Sequence, residues 1–115
     1  MPTNTYSLDY LIQRTGRAVE ELATGFEPGR TRLSAAYGAL TGLLLTDYPE
    51  PLREKRAEID RWLTRFSGRE GFLVTDNIRK MKKQDVSRVC ELILELHLDL
   101  LEQRYLQDKH RRISP

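Results

Sequence analysis

The sequence predicts an all-α fold, a four-helix up-and-down bundle with a long C-terminal helix. Residues 85–109 run without Gly or Pro and carry apolar side chains at helical spacing. Three earlier segments show the i, i+3, i+4, i+7 stripe of a half-buried helix. Short Pro- and Gly-containing connections separate them, which favours antiparallel neighbours. At 115 residues the chain suits one domain, expected over residues 1–115 with a frayed tail from about residue 110.

The first helix is expected from about Ser7 to Thr24. The Ser7 hydroxyl can accept from first-turn backbone N–H groups. Leu8, Leu11, Ile12, Thr15, Val19 and Leu22 form its stripe, Gly16 weakens its middle, and Gly25 supplies a left-handed stop. A second helix follows Pro28, which suits a first turn because its missing N–H is not needed there. Its body reads RLSAAYGALTGLLL and ends at Asp47-Tyr48-Pro49. Ser34, Ala35, Gly38, Ala39 and Gly42 make one face small, so a close neighbouring helix is expected over it. A homodimer seam is the alternative use of Gly38 and Gly42.

The third helix starts at Pro51 and aligns Leu52, Arg56, Ile59, Leu63 and Phe66, with Trp62 beside them. Phe72-Leu73-Val74 lacks helical spacing and reads as an extended plug over one end of the bundle, or a short strand, with Thr75 or Asp76 capping the turn that follows. The long helix either begins near Asp76 or breaks near Lys83–Asp85. Its polar side collects Arg88, Glu91, Glu95, Asp99, Glu102 and Gln103. Its wide apolar arc holds Val86, Val89, Cys90, Ile93, Leu94, Leu96, Leu98, Leu100, Leu101 and Tyr105. The expected core is Leu11, Ile12, Val19, Leu40, Leu44, Ile59, Leu63, Phe66, Val89, Ile93, Leu96 and Leu100.

Hydrophobic residues make up 39% and charged residues 31%, a folded rather than disordered composition. Net charge is +2, low for a protein that binds nucleic acid by electrostatics alone. The excess lies in the second half. The single cysteine, Cys90, excludes an intramolecular disulfide and suits a reducing cytoplasm. No basic and apolar leader opens the sequence. The most apolar stretch, 33–45, falls short of the roughly 20 residues that span a bilayer, so no membrane partner is expected.

Motifs for chemistry are sparse. His97 lies on the apolar arc with Cys90. At seven residues' separation they stand roughly 10 Å apart along a helix, beyond hydrogen-bond reach. No C-x-x-C or H-E-x-x-H spacing is present, so no metal and no cofactor are expected. The acidic row on the last helix reads as solvated or paired with cations of the third helix. Arg104 and His110 stand in R-x5-H spacing, which a ribonuclease could use. A stretch so rich in arginine produces that pairing by chance, and catalytic residues are expected to be absent. Arg79, Lys80, Lys82, Lys83 and Arg88 form the densest cationic patch, suited to phosphate contacts.

The expectation is a non-enzymatic helical protein–protein interaction module, an adaptor or regulatory subunit that associates with a partner or with itself as a homodimer. The motive is an apolar arc too wide for three short helices to cover, with Leu92 and Leu106 projecting among polar residues. Gly38, Gly42, Leu92, His97 and Leu106 are its candidate interface residues. The alternative is a nucleic-acid-binding regulator using the patch at residues 79–88.

Overall fold

The computed structural model describes residues 7–24 and 28–113. These residues form five α-helices and no strand: α1 (Leu8–Thr24), α2 (Gly29–Leu40), α3 (Glu50–Leu63), α4 (Leu73–Lys80) and α5 (Lys83–Ile113). A 3-10 turn, Leu45–Asp47, sits between α2 and α3. The fold is all-α as expected, with one helix more than the four read from the sequence.

Local chemistry accounts for most helix starts. Tyr10 N–H donates to Ser7 Oγ at 3.2 Å, the expected cap of α1. Pro28 precedes α2, and Pro51 occupies the first turn of α3. The expected stop at Gly25 lies outside the described residues. α2 ends at Leu40, earlier than its apolar run suggests. Gly42 has φ +90°, a left-handed conformation that a side chain would strain. The turn there brings Leu43 and Tyr48 into the core and leaves Leu44 exposed.

The apolar run 72–74 is not an extended plug. Leu73 and Val74 open α4, and Thr75 and Asp76 lie inside it rather than capping it. The chain then breaks at Met81, whose extended backbone ends α4 and whose buried side chain plugs the joint. Arg30 donates to the freed Met81 carbonyl. Asp85 falls in the first turn of α5, where its charge favours the helix dipole. At the other end α5 remains helical to Ile113.

α5 organises the fold and packs against α1, α2 and α3. Its C-terminal half lies beside the start of α1, where Arg104 pairs with Asp9. α1 also packs on α2, with Arg14 donating to the Ala39 carbonyl at 2.6 Å. Lys55 of α3 bridges Glu95 and Asp99 of α5 at 3.2 and 2.8 Å, so part of the acidic row is paired with α3. The buried core includes Leu11, Leu40, Ile59, Leu63, Val89, Ile93, Leu96 and Leu100 as expected, with Ile12 and Val19 partly buried against it. Phe66 is not in the core: α3 ends at Leu63, so Phe66 loses the phase of the stripe and stands 44% exposed. Arg56 does belong to the stripe. It is buried, lies over the rings of Tyr37 and Tyr48 at 5.4 and 5.8 Å, and pairs with Asp60.

Candidate functional site

The buried arc of α5 is narrower than its apolar arc. Val86, Val89, Leu92, Ile93, Leu96 and Leu100 point into the bundle. Leu94, Leu98, Leu101 and Tyr105 do not. They repeat at spacings of 4, 3 and 4, which places them within about 60° on one face of a helix with 3.6 residues per turn. All four are exposed, Leu98 at 52% and Tyr105 at 62%. Such a row is the seam pattern of paired helices. It begins beside an apolar groove of about 440 Å³, which Val19, Leu22, Val86, Cys90 and Leu94 help to line. α5 spans about 46 Å and α1 about 25 Å at 1.5 Å per residue, so the last turns of α5 outrun their cover.

The expected interface residues scatter. Leu92 is 1% exposed and belongs to the core, not to a contact surface. Arg88, Glu95 and Asp99 share its side of the helix, but that side faces α3 through ion pairs. Gly38 is exposed, with no described atom within 4 Å of where a Cβ would stand, so no described helix approaches closely over Gly38 itself. Gly42 lies beyond the end of α2 and is likewise uncrowded. Leu106 is exposed as expected.

His97 faces α1 rather than solvent alone. Its Nδ1 is 2.7 Å from Thr15 Oγ1, and Thr15 Oγ1 is 3.0 Å from the Leu11 carbonyl. A hydroxyl has one proton, so both contacts are satisfied when His97 Nδ1–H donates to Thr15 and Thr15 donates to Leu11. Burial without a facing carboxylate lowers the His97 pKa. A Cβ at Gly16 would stand 3.3 Å from the His97 ring, which gives this mid-helix glycine a packing role. Burial raises the pKa of half-buried Cys90, which disfavours the reactive thiolate.

The cationic patch is brought together in part. Arg79 and Lys80 end α4, while Lys82 and Lys83 follow at the joint, all four exposed. Arg88 lies a turn further along α5 among Glu58, Glu91 and Glu95, each within 3.8 Å, so it is not a free phosphate ligand. In its place stand three residues that periodicity does not single out and one, Phe66, that it assigns to the core. The 64–72 loop presents Arg65, Phe66, Arg69 and Phe72 beside the joint. Arg65, Phe66, Lys80 and Lys82 share one groove with Trp62, and Arg69 and Lys80 share the next. Arg104 is engaged by Asp9 and Asp108, which leaves the R-x5-H pair without a free arginine.

No group of three or more His, Cys, Asp or Glu side chains among the described residues is placed to hold a metal ion. No helix among them is long and apolar enough to cross a membrane. Comparison with protein families, with curated proteins and with solved structures finds no match to this chain.

Proposed function

We propose that this chain is a non-enzymatic helical interaction module, an adaptor or regulatory subunit, that self-associates as a homodimer through the exposed face of α5. The observation that carries the reading is the row Leu94, Leu98, Leu101 and Tyr105. Four large apolar side chains at coiled-coil spacing, left open on the longest helix, lose free energy to water until another helix covers them. Glu102 and Arg104 flank the row with opposite charges, so a second copy meets no single-signed barrier. A self-complementary apolar face suits the two-fold geometry of most small homo-oligomers.

Within the protomer we read α1, α2, α3 and α5 as an up-and-down bundle to which α4 is added. The contacts Arg104–Asp9, Arg14–Ala39 and Lys55–Asp99 support alternating directions. The lone, half-buried Cys90 suits a cytoplasmic setting.

Size-exclusion chromatography with light scattering over micromolar concentrations tests the proposal. The wild-type chain is expected at twice the protomer mass. The double variant L98E/L101E is expected as a monomer with unchanged helical circular dichroism. A wild-type chain that stays monomeric throughout ends the self-association reading.

A further inference from the structure

The strongest charge asymmetry lies at the end of the molecule built by the last turn of α3, the 64–72 loop and the α4–α5 joint. Residues 61–83 hold seven Lys/Arg and two Asp/Glu, whereas the rest of the chain holds twelve and fifteen. One of the two acids, Asp76, is buried and consumed by Arg69, which donates to it from its backbone N–H and from the Nε and Nη2 edge of its guanidinium. Arg65, Lys82 and Lys83 make no ion pair with the described residues.

Two aromatic rings stand among these cations. Phe66 is 44% and Phe72 51% exposed. Each is overlain by a guanidinium, Arg65 at 5.4 Å and Arg69 at 4.7 Å. The loop that carries them is exposed along its length yet anchored from below. Buried Asn77 accepts from Phe66 N–H at 2.7 Å and donates to the carbonyls of Phe66 and Leu73. Gly68 permits the close pass over α4, since a Cβ there would meet Leu73 Cα at 3.1 Å. Gly71 turns the chain with φ +80°. Two buried polar side chains thus hold two exposed rings in fixed places, and the bundle itself gains nothing from having those rings in water.

We infer that this end of the protein binds single-stranded nucleic acid. The cations supply phosphate contacts, and the ring and guanidinium planes supply stacking surfaces for unpaired bases. Charge alone would serve an anionic lipid surface or an acidic protein equally well; the paired planes are the feature that unpaired bases use. A duplex offers no open base faces, and eight-residue α4, bound to the loop through Asp76 and Asn77, is not free to enter a groove. This reading does not depend on the α5 row.

Fluorescence anisotropy of the full chain with short labelled single-stranded RNA, single-stranded DNA and the matching duplex tests the inference across a salt series. Single strands are expected to bind more tightly than duplex, and the RNA and DNA arms tell the two sources apart. K82E/K83E is expected to weaken binding and to flatten the logarithmic salt dependence by about 0.7 per lost phosphate contact. F72A and F66A are each expected to weaken binding about fivefold or more with the salt slope unchanged, because stacking releases no counterions. All three variants keep the wild-type oligomeric state, so failure here leaves the α5 reading standing. The inference is overturned by no single-strand binding at low salt, by equal affinity for duplex, by insensitivity to both Phe variants, or by binding confined to anionic vesicles.

Discussion

His97 of α5 and Thr15 of α1 meet across the helix interface at 2.7 Å, a contact that His97 Nδ1–H donates when the Thr15 hydroxyl donates to the Leu11 carbonyl. Burial lowers the His97 pKa in the folded state below its unfolded value. The folded protein therefore binds fewer protons here than the unfolded chain. The contribution to stability is complete above the unfolded pKa and is lost as pH falls from about 6.5 towards the folded value. Urea unfolding at neutral and mildly acidic pH is expected to show this loss, diminished in His97→Gln. An NMR titration should place the His97 midpoint below that of an unfolded peptide.

Gly16 and His97 are expected to be energetically coupled. Replacing a mid-helix glycine by alanine commonly stabilises by up to about 1 kcal/mol. Here the new methyl would crowd the His97 ring and the Thr15 contact behind it. Gly16→Ala is therefore expected to stabilise more in a His97→Ala background than in the wild type. A double-mutant cycle by denaturant unfolding measures the difference, and additivity would remove the packing role assigned to Gly16.

Leu92 and Leu98 are about 1.7 turns apart on α5 but have opposite fates. Leu92→Ala empties a closed core site and is expected to cost about 2–5 kcal/mol. Leu98→Ala, measured below the association range, is expected to stay within about 0.5 kcal/mol of wild type. Equal losses would mean that the exposed row is covered within the protomer.

Asn77 is expected to control the loop above it. Asn77→Ala leaves the Phe66 N–H and two carbonyls without the partner they have now, at a cost of about 1–3 kcal/mol. Faster tryptic cleavage at Arg65 or Arg69 is the specific sign. Wild-type cleavage rates with reduced stability would indicate a packing defect instead.

Much of this fold is legible in the chain. The Ser7 cap, the prolines before α2 and α3, and the uninterrupted period of α5 each follow from a local rule. Three places are not. The apolar run after Leu40 has helical composition, but Gly42 turns it, and Leu43 rather than Leu44 goes inward. Phe72-Leu73-Val74 is too short for its period to separate helix from strand. Leu92 sits among charges that proved to be ion-paired with α3, so polarity around it marked an interface edge rather than water. The same limit applies to function. The spacing of Leu94, Leu98, Leu101 and Tyr105 is visible in the sequence, but only the placement of α1 and α3 leaves that side open. Phe72 follows no period, Phe66 continues a stripe that ends with α3 at Leu63, and both become neighbours of the cationic joint through the Asn77 and Asp76 anchors.

The overhang of α5 divides one continuous helix into two thermodynamic regimes. Amides between Val86 and Leu100 are sealed by the core, and their hydrogen exchange should require cooperative opening of the whole domain. Beyond Arg104, the last residue tied to α1, the backbone is held by little besides its own helical bonds, so those amides should exchange by fraying, orders of magnitude faster. The boundary between the two regimes is a built-in reporter. Any occupant of the exposed row would move it towards the C-terminus, slowing exchange at backbone sites that the occupant itself never touches.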